Sequence, residues 1–142
     1  MSSFTITLAD LEASGPVINV ELSVSAAYAQ VLKAAGLPIP GPLNVAALID
    51  TGADATVVQS GLAAQLGLAA TRMVLASTPT SKNERLPVHY MRVAFDHSTS
   101  WEGSVIEASL PLQSVKCLVG RDILAGASLE YRGRENTFTI EF

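Results

Sequence analysis

Charged residues and cysteine are scarce in this sequence. Only 15% of the 142 residues are charged, with nine Lys and Arg against thirteen Asp and Glu. The basic residues are few and not clustered, so the chain offers no positive surface to a phosphate backbone and we expect no nucleic-acid partner. The single cysteine, Cys117, excludes an intrachain disulfide framework and a multi-cysteine zinc site, and it is typical of a reducing compartment.

Long apolar runs are also missing. No run approaches the roughly 20 residues that cross a bilayer, and the first ten residues lack the basic start of a secretory signal. We therefore expect no membrane segment and predict a cytoplasmic location. The hydrophobic content of 49% is sufficient for a core. Since no long repeat or low-complexity tract divides the chain, residues 1–142 are predicted to form a single domain.

Most of the hydrophobic pattern has a period of two residues. In residues 4–8 and 18–24, apolar positions alternate with polar ones, which predicts half-buried strands around a turn at Gly15 and Pro16. The same reasoning predicts further strands at 45–49, 73–76, 88–95, 104–110, 116–119, 129–132 and 137–142, and short helices at 26–35, 61–66 and 121–124. The expected fold class is all-β, a small closed structure with short inserted helices.

One predicted strand runs directly into a carboxylate. The apolar residues 45–49 are followed by Asp50, Thr51 and Gly52. A carboxylate at the end of a buried strand needs hydrogen bonds to its ionised form, and Gly52 allows a backbone N–H to fold back towards it. Thr51 is expected to supply a second donor. The tripeptide alone is also ordinary turn chemistry, so an Asx turn without function stays open at this point.

A second segment, 117–124, has two apolar residues followed by Gly120, Arg121 and Asp122 and then further apolar residues. The first segment extends from the apolar strand through Asp50 to residue 58, and the second follows it along the chain. The two segments resemble those of the retropepsins, the single-domain aspartic proteases of retroviruses and their cellular relatives. The resemblance covers residues 15–142 and is specific only in the two segments. It implies a small closed β-barrel with a flap hairpin and an aspartic endopeptidase activity.

The resemblance also implies the site. It assigns catalysis to Asp50, Thr51 and Gly52 and substrate binding to Gly52, Ala53 and Asp54. Arg121 would support the site by pairing with Asp54, because a guanidinium in an apolar segment needs a carboxylate. A solvated Arg121 is the alternative. Asp122, at the start of a predicted helix, would be structural.

Hydrolysis of an amide by water needs a carboxylate as general base and a carboxylic acid that protonates the carbonyl oxygen. The chain contains one Asp-Thr-Gly, so two copies would have to place Asp50 against Asp50, with one proton shared between them. We therefore predict a homodimer that cleaves peptide or protein substrates without a cofactor or a metal. The strands expected to hold the dimer are terminal and carry two apolar rows, Phe4, Ile6 and Leu8, and Phe138, Ile140 and Phe142.

The predicted flap departs from the retroviral pattern and keeps a second function open. The predicted flap lies between Val74 and Tyr90, and its expected tip, 77–84, contains no glycine and includes Pro79. The helix predicted at 26–35 has no retroviral counterpart, and it could contribute to the dimer instead of the terminal strands. The alternative function is a catalytically silent dimerisation or peptide-binding module.

Several other residue types receive no functional assignment. The two histidines, His89 and His97, have no third ligand at metal-binding spacing and are predicted to be isolated on the surface. Trp101 is expected in a loop. Three further side chains are expected in the core: Met73, Met91 and Cys117.

Overall fold

The computed structural model describes residues 2–78 and 81–142. Over these residues the chain is predominantly β, and its helices are short. In chain order the elements are β1 (Ser3–Thr7), α1 (Leu11–Ser14), β2 (Val17–Ser23), α2 (Ala26–Ala34), β3 (Leu43–Ile49), β4 (Val57–Gln59), α3 (Leu62–Gln65), β5 (Arg72–Thr78), β6 (Ser81–Ala94), β7 (Ser100–Ala108), β8 (Val115–Val119), α4 (Arg121–Leu124), β9 (Ser128–Arg132), a 3-10 turn (Gly133–Glu135) and β10 (Thr137–Glu141).

The larger sheet closes on itself. Its strand order is β2-β3-β8-β4-β7-β6-β5, and an additional pairing of β2 with β6 joins six of these strands into a ring, with β5 attached outside. Strand β3 pairs with β8 in parallel, with Ile49 opposite Val119. Parallel pairing brings the carboxyl ends of the two strands to one edge of the sheet, so the residues that follow Ile49 and Val119 meet there.

The terminal strands form a second sheet with the order β1-β10-β9. Strand β1 is antiparallel to β10, with Phe4 opposite Ile140 and Ile6 opposite Phe138. Phe138 and Ile140 are fully buried, and Phe4 and Ile6 pack against the same core. Phe138 and Ile140 therefore belong to the core of the chain itself, whereas β1 is paired with β10 on one side only. A dimer held by the terminal strands stays a prediction.

The inserted helix α2 begins where the sequence predicts. Ser25 is its N-cap, and the Ser25 hydroxyl accepts a hydrogen bond from the Tyr28 backbone N–H at 3.2 Å. The Ala26 N–H donates to the Glu102 carboxylate of β7 at 2.9 Å, which ties the start of the helix to the larger sheet. No residue of α2 is buried. The helix therefore lies on the surface of the β structure rather than inside it.

The predicted all-β class is confirmed, but several local predictions need correction. Strand β4 was not predicted, because three residues are too few to show a period. Strand β7 begins at Ser100, so Trp101 lies in a strand and not in a loop, with its ring over Gly103. Met73 is 47% exposed instead of buried, since β5 is paired on one side only. Met91 and Cys117 are fully buried, as predicted.

The hairpin predicted between Val74 and Tyr90 is formed by β5 and β6, which pair antiparallel with Val74 opposite Leu86. Strand β6 is longer than its prediction and starts at Ser81. The expected tip, 77–84, is thus partly strand, and Pro79 lies outside the described residues. One strong contradiction concerns His89, which is 5% exposed instead of lying on the surface.

Candidate active site

Asp50 lies directly after β3, at the edge where β3 and β8 end together. Its backbone N–H donates to the Val119 carbonyl at 2.9 Å, which continues the ladder between the two strands by one residue. Its carboxylate accepts a hydrogen bond from the Gly52 backbone N–H at 2.9 Å. A methyl group on Gly52 would lie 3.2 Å from the same carboxylate oxygen, so the glycine permits this close return of the chain.

Thr51 is placed beside the carboxylate but does not act as its second donor. Over the described residues no hydrogen bond joins the Thr51 hydroxyl to Asp50, which corrects the expectation. The Thr51 carbonyl instead accepts a hydrogen bond from Nη1 of Arg121 at 2.8 Å. Thr51 and Gly52 are both exposed. The tip of the loop is therefore open to a substrate or to a second chain.

Arg121 holds the loop in a different way from the one expected. Its backbone N–H donates to the Ala53 carbonyl at 2.8 Å, and its guanidinium reaches Thr51. Arg121 and Asp54 are both exposed, and no ion pair joins them in the part of the chain that the structure describes. The expected buried pair is therefore not formed within one chain. Two bonds to carbonyl groups of the loop give Arg121 its supporting position.

A buried hydrogen-bond network connects the two sequence segments. Thr56 is completely buried, and its hydroxyl donates to Oδ1 of Asp122 at 2.7 Å while accepting from the Gly120 N–H at 3.1 Å. The Thr56 N–H donates to the other carboxylate oxygen at 2.9 Å. Sequence reasoning placed Asp122 at the helix start but missed this contact, because the two residues are far apart along the chain.

Gly120 is required for the close approach of the same two segments. A methyl group on Gly120 would lie 2.5 Å from the carbonyl carbon of Ala55 and 2.9 Å from the Thr56 nitrogen. Both are backbone atoms, so no side chain can move aside to make room. The backbone of the second segment therefore packs directly on that of the first, and this contact holds the Asp50 loop at the end of β8.

A cavity of about 430 Å³ lies over this loop. Asp50, Gly52, Ala53 and Asp54 line one side, which brings four of the predicted site residues together. The hairpin of β5 and β6 contributes Ala76, Ser77 and Leu86 to the lining. The rest of the lining is largely apolar and includes Val57, Ile106, Leu110, Leu112 and Leu118. Such a space can hold apolar side chains next to a carboxylate.

Cys117 does not take part in chemistry at this site. Burial raises the pKa of its thiol to about 12, and the negative charge of Asp122 adds to the effect. A thiol this weakly acidic is not a nucleophile near neutral pH.

Over the described residues, no group of three or more His, Cys, Asp or Glu side chains is arranged to hold a metal ion. No helix among them is long and apolar enough to cross a membrane.

A closed β fold in which an Asp-Thr-Gly loop and a hairpin line one cavity is typical of retropepsin-like aspartic protease folds. The sequence model of the family described as retroviral aspartyl protease matches residues 12–131, and the chain belongs to this family. No curated protein sequence matched the chain.

Two solved structures are similar to the chain. A retropepsin-like aspartic protease from Rickettsia conorii aligns with a TM-score of 0.55 at 12% identity, over 98% of this chain and 91% of that chain. The retroviral protease-like domain of Ddi1 from Leishmania major aligns with a TM-score of 0.48 at 16% identity, over 89% of each chain. At this identity the first likeness shows the retropepsin-like fold alone.

Proposed function

We propose that the chain is an aspartic endopeptidase that works as a homodimer, with Asp50 of each copy as the catalytic carboxylate. One observation carries the proposal. The Asp50 carboxylate, oriented by the Gly52 N–H at 2.9 Å, lines a largely apolar cavity to which a hairpin also contributes. A carboxylate in that setting can activate water against a peptide bond that is held away from bulk solvent.

The proposed chemistry needs a second carboxylate. In one step, the ionised Asp50 of one copy takes a proton from water, and the water oxygen attacks the peptide carbonyl. The protonated Asp50 of the other copy gives its proton to the carbonyl oxygen. Collapse of the tetrahedral intermediate then breaks the C–N bond as a proton passes to the leaving amine. Each chain supplies one Asp-Thr-Gly, so a two-fold axis would run between the two loops.

The hairpin is proposed to act as the flap over bound substrate. Ala76, Ser77 and Leu86 of the hairpin line the cavity. An extended peptide could add along the loop and the hairpin as a further strand, with its side chains entering the apolar cavity. Asp54 is exposed at the cavity and remains available to bind the backbone of such a peptide.

The test is to incubate the protein with a diverse peptide library and to compare it with Asp50→Asn. The amide keeps the volume of the side chain but cannot act as a general base, so the rate should fall by at least about 100-fold while the fold is retained. Asp96→Asn is the matched control, since Asp96 lies in a turn after β6 and outside the cavity. Equal rates for the protein and Asp50→Asn would refute the proposal.

The pH profile gives an independent arm of the same test. The rate should be highest on the acid side of neutrality, because repulsion between facing carboxylates leaves one proton on the working dyad and the doubly ionised form is inactive. A transition-state mimic of the statine type should inhibit the reaction. A rate that continues to rise into the alkaline range would contradict the shared dyad.

A peptide-binding module that cleaves nothing is the second candidate, and the sequence of the hairpin favours it. The hairpin, 72–94, contains no glycine, so a flexible glycine-rich flap is not available to close over substrate. This candidate predicts that peptides are retained by the protein and by Asp50→Asn alike and are recovered intact at every pH.

A further inference from the structure

The side chain of His89 is buried immediately behind the cavity. His89 lies in β6 opposite Val105 of β7, and only 5% of it is exposed. Its neighbour Val88 lies on the other face of the strand, opposite Ile106, which lines the cavity. His89 therefore points into the interior on the side away from the cavity, in the two strands that form its wall.

Both ring nitrogens of His89 are buried and have no hydrogen-bond partner among the residues that the structure describes. Buried polar atoms are nearly always paired, and a neutral imidazole here leaves one N–H donor and one acceptor unsatisfied. The nearest charged group is Glu107 of β7, whose Oε2 lies 3.7 Å from Nε2 of His89. This distance is too long for a hydrogen bond and is within the range of an ion pair.

The charge environment of this pair is simple. Over the residues with described side chains, no other carboxylate lies within 4.0 Å of His89, and no Lys or Arg lies within 4.0 Å of Glu107. Strand β4, which pairs with β7 at Glu107, has no charged residue. Arg72 of β5 is opposite Val88 and so lies on the other face of β6. Among the described side chains, Glu107 is thus the single carboxylate within 4.0 Å of His89.

We propose that protonated His89 and Glu107 form a buried ion pair that locks β6 to β7 behind the cavity wall, and that the lock opens when His89 loses its proton. Protonation turns both ring nitrogens into donors, and a shift of about 0.8 Å would bring Nε2 within a charge-assisted hydrogen bond of Oε2. The carboxylate offsets the cost of a buried imidazolium, and the imidazolium does the same for Glu107.

The ion pair would affect the cavity through the residues of β6 and β7 that line it. Ile106 and Ala108, the neighbours of Glu107 in β7, line the cavity, and so does Leu86 of β6. The ion pair would hold these strands in register under acidic conditions, the range in which a carboxylate dyad works. His89 and Glu107 are positioning residues in this proposal, which concerns the fold and holds whether or not the chain cleaves peptides.

The test uses the small number of histidines. In the His97→Gln variant, His89 is the only histidine, so its ring nitrogens can be followed by NMR without ambiguity. The fraction of rings with both nitrogens protonated should be higher at about pH 5.5 than at about pH 8. Adding Glu107→Gln should reduce the protonated fraction at the lower pH, whereas adding Glu141→Gln, an exposed control, should not.

Unfolding by denaturant provides the second readout. The protonated pair stabilises the folded state at acidic pH, and this stabilisation is lost as His89 releases its proton on raising the pH. Glu107→Gln should therefore increase the unfolding constant by roughly tenfold more at about pH 5.5 than at about pH 8. In a His89→Gln background this pH-dependent difference should vanish.

Three results would overturn the lock. The first is a neutral His89 at about pH 5.5 in the His97→Gln variant, a measurement that does not require Glu107→Gln to fold. The second is an unchanged protonation state of His89 after Glu107→Gln. The third is equal destabilisation by Glu107→Gln at both pH values. None of these measurements depends on peptide cleavage, so failure of the lock and failure of the proposed activity are separate results.

Discussion

Replacing Thr56 by Val should destabilise the fold through a single missing hydroxyl. Valine keeps the shape of the side chain, so the fully buried site is neither emptied nor overfilled. What disappears is a donor to Oδ1 of Asp122 at 2.7 Å and an acceptor for the Gly120 N–H at 3.1 Å. The Thr56 N–H remains bonded to the other oxygen of Asp122. The change therefore isolates the hydroxyl.

The magnitude follows from the two bonds. A hydrogen bond to a charged group contributes about 1.5–3 kcal/mol, and a buried N–H left without an acceptor costs about 1–3 kcal/mol. The two effects overlap because they share one hydroxyl, so we expect a loss of about 3 kcal/mol in the free energy of unfolding. For a domain of this size that loss lowers the Tm by about 10 °C.

The assay is denaturant unfolding of Thr56→Val, Asp122→Ala and the double variant. Both residues belong to one network, so the double variant should be more stable than the sum of the single losses predicts, by about 1–2 kcal/mol. Thr5→Val is the control, because the Thr5 hydroxyl bonds Thr139 at the surface and its loss should change stability by less than about 0.5 kcal/mol.

Two outcomes would refute this reasoning. A Thr56→Val protein with the stability of the Thr5→Val control would mean that the hydroxyl does not hold the two segments together. Strictly additive losses in the double variant would mean that Thr56 and Asp122 do not act as one unit. In either case the position of the Asp50 loop would have to depend on the backbone contacts of Gly120 and Arg121 instead.

Three further predictions test other parts of the structure. Gly120→Ala should prevent stable folding or lower the free energy of unfolding by more than about 3 kcal/mol, because its methyl group would lie 2.5 Å from the Ala55 carbonyl carbon. Gly41→Ala is the control and should be tolerated, since Gly41 has open space around it. Cys117 should resist a thiol reagent in the native protein at about pH 8 and react after unfolding, since burial raises its pKa to about 12; rapid native labelling would contradict this. Activity per chain should fall on dilution together with the dimer fraction measured by sedimentation, and full activity in a monomeric sample would exclude a dyad of two Asp50 residues.

The period-two pattern was sufficient to predict most strands, because alternation reports directly which residues face a core. The start of α2 was also readable, since an N-cap such as Ser25 acts on a backbone N–H only three residues away. Asp50 was placed at the end of a buried strand by the apolar run before it, and this position is the one observed. These features depend on residues that are close together in the chain.

The burial of individual side chains depends on the tertiary structure and could not be predicted from the local pattern. His89 lies in a strand that packs on both faces, with Val88 towards the cavity and His89 towards the interior, so alternation could not predict its environment. Met73 follows the strand pattern equally well, yet it is exposed because β5 attaches to the ring by one edge. In both cases the number of packed neighbours, and not the local pattern, decided the outcome.

The sequence by itself determined that Asp50, Thr51 and Gly52 form a tight loop after an apolar strand, because a strand, a carboxylate and a glycine interact over three residues. The tertiary structure alone decided what holds that loop. Parallel pairing of β3 with β8 brings Arg121 onto the Thr51 carbonyl and leaves Asp54 exposed. Contacts between residues so distant in the chain arise only when the sheet closes, since strand pairing sets which chain ends meet.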